Sequence, residues 1–268
     1  MDIGRRVISE LNNGSGYCDI LSRNCEELEK LEEDIQRGEV PSVFRLHSKD
    51  SALAPKTPEE FLLLLELVDL RKSKFCTLKE ITDRVVGYPL NYYPVKLKVA
   101  EVFHDLGKKH IATYKRLEQS LFNGMTLIIT KNTKAFTEGV IKPWLEAGMS
   151  STASLVLSRV IMKGGSERVY MEEFIMDMVG CTRSPCVSTL LTSVLIKKIK
   201  LSEITLNAVF RYIVDGDKSN GRYLIWNKMV LVFVRGYKKA IDMSAIKELY
   251  VESTAKIERE IVRELQEQ

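Results

Sequence analysis

The stretch SPCVSTLLTSVLIKKIK, residues 184–200, decides the fold class. Val187, Leu190, Leu191, Val194 and Leu195 recur at intervals of three and four, which places them on one face of a 3.6-residue helix. Ser184 and Pro185 supply an N-cap and a first-turn proline. Lys197, Lys198 and Lys200 collect where such a helix ends, complementing its negative pole. The same template fits Met171, Phe174, Ile175, Met178 and Val179. It fits again at Trp226, Met229, Val230, Phe233 and Val234, and in shorter form at Leu206, Val209, Phe210 and Ile213. Residues 230–234 have the composition of a buried strand, but the spacing around them is helical. Helix starts near residues 151, 184 and 222 return about every 35 residues, the range of two-helix repeats. The predicted fold is all-α, with stacked antiparallel helix pairs forming a helical-repeat-like superhelix.

Boundary residues agree with this pattern. Ser166-Glu167 and Ser202-Glu203 read as N-caps, and Gly148, Gly164-Gly165 and Gly180 as stops. Thr57-Pro58-Glu59-Glu60 places a cap, a first-turn proline and an N3 glutamate in order, as a capping box requires. Upstream, residues 24–36 predict an acidic amphipathic helix. GEVPSVFRLHSKDSALAPKTP, residues 38–58, is rich in turn formers and predicts a loop or arm lying on the surface of the helical body. The expected organisation is an acidic helix plus irregular arm over 1–58 and a helical domain over 59–268.

With 268 residues, 45% of them apolar and 28% charged, the chain can bury a substantial core. MDIGRRVISE turns polar too early for a secretion signal, and the run from Phe61 to Leu70 is interrupted by Glu66 and Asp69, so neither export nor membrane insertion is expected. The five cysteines show no metal-knuckle spacing and read as reduced thiols. Charge is unevenly placed. Residues 1–70 hold 8 basic and 15 acidic side chains, 71–180 hold 17 and 11, 181–250 hold 12 and 5, and 251–268 hold 3 and 5. A basic middle between acidic ends suits a phosphate-bearing or acidic partner.

The sharpest enzyme-like feature is Phe103-His104-Asp105-Leu106-Gly107-Lys108. It resembles the metal-binding centre of HD-type phosphohydrolases, in which adjacent His and Asp join an upstream His and a downstream Asp. Of the three histidines, His47 sits in the irregular segment and His110 is too close to be the missing ligand. The competing reading ends a helix at Leu106, makes Gly107 its left-handed stop, and starts the next element at Lys108-Lys109. Lys163-Gly164-Gly165-Ser166 imitates a phosphate nest but reads as an inter-helix turn. Nucleotide-binding glycine motifs, zinc-protease motifs and nucleophile elbows are absent from the sequence, so no cofactor or metal is expected.

Basic clusters carry the other candidates. Lys108, Lys109, Lys115 and Arg116 are interleaved with His110 and Tyr114, and Lys108 and Lys115 share a face if helical. Lys131, Lys134, Lys197, Lys198, Lys200, Arg235, Lys238 and Lys239 complete the set of candidate RNA or partner contacts. The later ones fall at helix C-terminal ends, where they also complement the dipole without any partner.

The stretch KKHIATYKRLEQSLFNGMTLIITKNTKAFTEGVIKPWLEAG, residues 108–148, resembles the signature block of the bystin family. Its order is Tyr114-Lys115-Arg116-Leu117, an amphipathic run, Lys134-Ala135-Phe136, Gly139-Val140-Ile141, Pro143, Leu145 and Gly148. The likeness continues through SRVIMKGGSERVY, SPCVSTLLTSVLIKKI, ITLNAVFRYIVD and LIWNKMVLVFVRGYKKAI. Upstream, residues 37–45 are similar to the family's short Gly-Pro-Phe arm, which makes Pro41, Phe44 and Arg45 candidate contacts. The stretch FCTLKEITDRVVGYPLNYYPVKLK aligns poorly, and the long charged N-terminal extension common in the family is expected to be missing. The resemblance implies a superhelix without an active site that serves as a scaffold for small (40S) subunit assembly and pre-rRNA processing. It further implies partners among small-subunit pre-rRNA, small nucleolar RNA-containing pre-ribosomes, other assembly factors and ribosomal proteins of the subunit head. The implied location is nucleus and nucleolus, with cytoplasmic pre-ribosomes. The alternatives are an HD-type phosphohydrolase using His104 and Asp105, and a generic helical-repeat adaptor.

Overall fold

In the computed structural model, residues 24–44, 54–165, 168–220, 223–251 and 255–266 are described, and all regular elements among them are helical. The chain divides into two compact units, Met1–Pro143 and Trp144–Gln268. The acidic helix and residues 41–44 of the arm fall within the first unit.

The described part of the first unit opens with α1 (Cys25–Arg37), whose Leu28, Leu31 and Ile35 are buried, as the amphipathic pattern predicts. Helix α2 (Pro58–Leu67) starts with the predicted capping box: Thr57 Oγ1 accepts from Glu60 N at 3.2 Å, and the Glu60 carboxylate accepts from Thr57 N. A 3₁₀ turn (Leu70–Lys72) leads to α3 (Phe75–Val86), and a second (Leu90–Tyr92) to α4 (Tyr93–Tyr114). These elements fill the region that aligns poorly. Helix α5 (Gln119–Lys131) is capped by the Glu118 carboxylate. Then follow α6 (Thr133–Phe136), a π turn (Thr137–Ile141) and α7 (Lys142–Glu146). At about 1.5 Å per residue, α4 is roughly 33 Å long. Helices α2, α3, α5 and α6 and the π turn all pack against it.

Two close approaches explain glycines in this unit. A Cβ on Gly124 of α5 would lie 2.3 Å from the Phe103 ring, and one on Gly139 in the π turn 2.7 Å from Ala100 Cβ. Both glycines let a backbone settle onto α4.

The arm departs from expectation. Residues 45–53, Arg45 and His47 included, lie outside the described residues, but Val43 and Phe44 form a 3₁₀ turn and are buried, Phe44 completely. Phe44 meets Phe61 edge to face with ring centroids 5.9 Å apart. Its carbonyl accepts from the Tyr88 hydroxyl, and the Tyr88 carbonyl accepts from the buried Lys96 Nζ at 2.5 Å. Burial pushes the Tyr88 hydroxyl pKa upward and that of Lys96 downward. Residues 43 and 44 of the arm thus plug the core, because a phenylalanine and a valine gain by leaving water.

In the second unit, α8 (Ser151–Lys163), α10 (Pro185–Leu195), α12 (Leu224–Tyr237) and α14 (Lys256–Gln266) pack each on the next. Helices α9 (Arg168–Gly180), α11 (Glu203–Asn220) and α13 (Ser244–Leu249) form a second row in the same manner. This two-row stacking of helix pairs is the architecture of a helical-repeat superhelix. Starts at 151, 185 and 224 match the predicted period, and residues 230–234 are helical. Ser184 accepts from Val187 N at 3.2 Å, and Ser202 Oγ from Thr205 N at 3.4 Å, as predicted for caps. Ser166-Glu167 lies outside the described residues. Gly148 takes the left-handed conformation (φ 80°), whereas Gly180 remains the last residue of its helix.

Candidate nucleic-acid interface

The C-terminal end of α4 gathers the first basic cluster. The helix does not stop at Leu106: it runs through a buried Gly107 to Tyr114, and the left-handed stop is Lys115 (φ 58°). Continuing past Gly107 buries Ile111 and sets His110 edge to face against Phe75 with centroids 5.9 Å apart. Burying one isoleucine contributes about 1.5–3 kcal/mol, against about 1 kcal/mol for a glycine inside a helix. Lys115 N donates to Ile111 O at 2.9 Å and its Nζ to Ala112 O at 2.9 Å. His110 Nδ1 lies 2.7 Å from Arg116 O, an acceptor only, so this nitrogen carries the proton. These bonds fold the turn back over the helix end. Lys108, Lys109, Lys115 and Arg116 are exposed along this helix end and the turn after it, and Tyr114, 61% exposed, lies tilted against His110 with centroids 4.7 Å apart. Among the described residues none of the four cations is paired with a carboxylate.

The His104-Asp105 pair has other company. Arg71 reaches Asp105 Oδ2 through Nε at 2.8 Å and Nη2 at 2.6 Å, and His104 Nδ1 lies 3.1 Å from Oδ1. Partial burial works against the charge, but the hydrogen bonds from Arg71 and His104 outweigh it and hold Asp105 below the usual carboxylate range. Both carboxylate oxygens are thereby engaged within the fold. Among the described residues no group of three or more His, Cys, Asp or Glu converges where it could hold a metal ion.

Lys131 is the last residue of α5 and Lys134 lies in α6. Lys134 is exposed, with its ammonium 5.3 Å above the Tyr93 ring at the start of α4. These two sit near the opposite end of α4 from Tyr114.

In the second unit the later clusters fall at one edge, where α8, α10 and α12 end. Lys197 Nζ donates to Gly164 O, and burial lowers its pKa. Tyr237 OH donates to Ile199 O at 2.9 Å, and burial pushes its pKa up to about 12. Arg235 is clasped by Glu264 (2.6 Å) and Glu260 (2.5 Å) of α14, and Lys238 Nζ reaches Glu264 O at 2.7 Å. Hydrogen bonds to Arg235 hold Glu264 below the usual carboxylate range. Arg235 and Lys238 are therefore structural cations in this fold, and Lys197 joins two helix ends. Lys198, Lys200 and Lys239 remain exposed. In the arm, Pro41 is half-buried and Phe44 faces inward.

Of the residues that carried the resemblance, Ala135, Phe136, Val140 and Ile141 are completely buried, and Tyr114, Lys115 and Arg116 are exposed. A family profile described as Bystin matches residues 84–268. The chain belongs to the bystin family. No curated protein matches it. Bystin-family proteins are ribosome-biogenesis factors that act without catalysis, and the matched span runs from the end of α3 through α14, so it contains both the Tyr114 corner and the helical repeats. No helix among the described residues is long and apolar enough to cross a membrane.

Proposed function

We propose that this bystin-family chain is a scaffold in small (40S) ribosomal subunit assembly and pre-rRNA processing, and that it touches single-stranded pre-rRNA through the corner at the end of α4. One observation carries the RNA contact: an exposed Tyr114 ring at the end of a helix whose last turns and following turn expose Lys108, Lys109, Lys115 and Arg116. A flat ring offers a stacking platform to an unpaired base while the cations follow the phosphates. The assignment to the small subunit, its other assembly factors and head proteins, and the nucleolar and cytoplasmic particles rests on family membership. In this reading the two rows of helices in the second unit supply a rigid framework, and no bond-making chemistry is required of it.

Fluorescence anisotropy of the full chain with a labelled single-stranded RNA, repeated across salt concentrations, tests the contact. Tyr114→Ala weakens binding by about 1–3 kcal/mol. Replacing all four cations by alanine flattens the salt slope by about 0.7 for each phosphate that is no longer neutralised. Arg235→Ala leaves the slope unchanged. An unaltered slope in the fourfold variant overturns the assignment of this corner, and affinity-purified particles without small-subunit pre-rRNA overturn the wider reading.

A further inference from the structure

Helix α14 lies on α12 with its charges sorted. Its carboxylates Glu258, Glu260 and Glu264 are half-buried, while its cations Lys256, Arg259 and Arg263 are exposed. All three carboxylates meet α12. Glu258 accepts from Asn227 Nδ2 at 3.0 Å, Glu260 from Arg235 Nη2 at 2.5 Å and Glu264 from Arg235 Nε at 2.6 Å. Lys238 Nζ donates to the Glu264 carbonyl at 2.7 Å and lies 3.5 Å from its carboxylate. Arg263, on α14 itself, also reaches Glu260 at 2.6 Å. The Nε and Nη2 donors of an arginine form a fork that grips a carboxylate or a phosphate with the same geometry. Both carboxylates that fill this fork come from α14.

The grip on α14 is slight beside that on its neighbours. Two of its residues are buried, Ile261 and Leu265, whereas α10 buries every residue from Cys186 to Leu195. The Arg235 side chain is 43% exposed even with α14 in place, and ion pairs so open to water hold an element weakly. An element with few buried apolar contacts opens well before the core does. Helix α12 has the support that α14 lacks: Phe233, Val234 and Tyr237 are buried and it packs on α10 as well. When α14 lifts, Arg235 and Lys238 therefore remain as an i, i+3 pair on one helix face, followed by the exposed Lys239. Asp242, the carboxylate nearest to them in sequence, accepts from Ser244 N at 3.0 Å and from Ser244 Oγ at 2.9 Å.

We propose that α14 is a displaceable cover over a latent phosphate site, and that RNA phosphates replace Glu260 and Glu264 on Arg235 and Lys238 when it lifts. The fork lies at the rim of the contact, so a phosphate reaches it without filling the apolar seat of Ile261 and Leu265. A competing protein helix has to match that seat as well. Burial of the two apolar side chains holds the cover shut until phosphates compete for the fork. The site rests on the reading of this chain as an RNA-binding scaffold and adds to it a second contact, closed at rest.

The test is fluorescence anisotropy of the full chain with a labelled single-stranded RNA across salt concentrations, comparing it with Ile261→Ser/Leu265→Ser, which loosens α14 without altering a charge. Amide exchange is expected to quicken in α14 and to stay slow in α10 and α12. The salt slope steepens by about 0.7 for each phosphate gained, about 1.4 for two. Adding Arg235→Gln/Lys238→Gln returns it to the value of the unaltered chain. Should the serine variant also quicken exchange in α12, Glu260→Gln/Glu264→Gln opens the same fork and carries the same expectation, with the same reversal. An unchanged slope in the variant whose α12 stays protected overturns the proposal, and so does a steeper slope that survives Arg235→Gln/Lys238→Gln. Loss of the Tyr114 contact reads out differently, because the fourfold corner variant then leaves the slope of the unaltered chain as it was.

Discussion

Replacing Gly124 by alanine tests how the first unit is packed. A Cβ built there stands 2.3 Å from Phe103 Cζ and 2.4 Å from Cε1, far inside the contact distance of about 3.5–4.0 Å between carbons. Phe103 is completely buried, so its ring has no solvent to swing into, and either α5 or the ring must shift. Helix propensity alone favours alanine by about 0.8–1 kcal/mol, whereas overpacking a tight core costs about 1–3 kcal/mol. The expected net effect is a loss of about 1 kcal/mol. Gly236, near the end of α12, has nothing within 4 Å of the same methyl group, so there only the propensity gain acts and Gly236→Ala stabilises by about 0.5 kcal/mol. The same substitution thus changes sign with its neighbour. Urea unfolding followed by circular dichroism reads both, and Gly124→Ala in a Phe103→Leu background separates the clash from any other cause, since the smaller side chain removes most of the penalty. A Gly124→Ala midpoint raised like that of Gly236→Ala, or a cost undiminished in the Phe103→Leu background, refutes the packing argument.

Phe44→Ala, which opens a cavity beside Phe61 and Tyr88, destabilises by about 3–5 kcal/mol in thermal or urea unfolding; a loss below about 1 kcal/mol contradicts the arm's role as a plug. Asn227 is buried between Tyr250 OH (2.9 Å) and Glu258 (3.0 Å), so Asn227→Ala removes two hydrogen bonds and costs about 1–3 kcal/mol, measurable as faster amide exchange in α13 and α14. The α14 clasp is also pH-dependent. Glu264 has its folded pKa below the ordinary 4.5, so its contribution is complete above that value and is lost as pH falls through the folded value. Amide exchange in α14, corrected for intrinsic rates, is expected to accelerate relative to α10 below about pH 4.5, and that difference disappears in Glu264→Gln.

Much of this fold is legible in the sequence because its helices are written in two independent signals, spacing and caps. The stripe Val187, Leu190, Leu191, Val194 and Leu195 is buried to the last residue, and Ser184 caps it as its side chain allows. The failures share a physical cause. Gly107 has the composition of a stop, yet the apolar stripe Phe103, Leu106 and Ile111 continues across it, and that continuation was the available signal. Turn formers around Phe44 mark an irregular backbone correctly but say nothing of where a large apolar side chain in it goes. The π turn at Thr137–Ile141 has only Gly139 to announce it, and the reason for that glycine is Ala100 on another helix, a contact between residues 39 positions apart.

Charge is where sequence reading runs out soonest, since a cation is defined by what faces it. Arg235 and Lys238 resemble Lys108 and Lys109 in composition and in lying toward helix C-terminal ends, but α14 brings Glu260 and Glu264 against the first two and nothing comparable against the others. The partners are 25 to 29 residues away from Arg235 in sequence, so only the stacking of α14 on α12 reveals them. The remaining exposed cations then divide by their neighbours. Those at the end of α4 share that helix end with an exposed tyrosine ring, and those at the end of α10 follow the exposed, branched Ile196. A ring offers a base a flat face and an aliphatic edge does not. The salt slope at the Tyr114 corner tests whether the cations there follow phosphates.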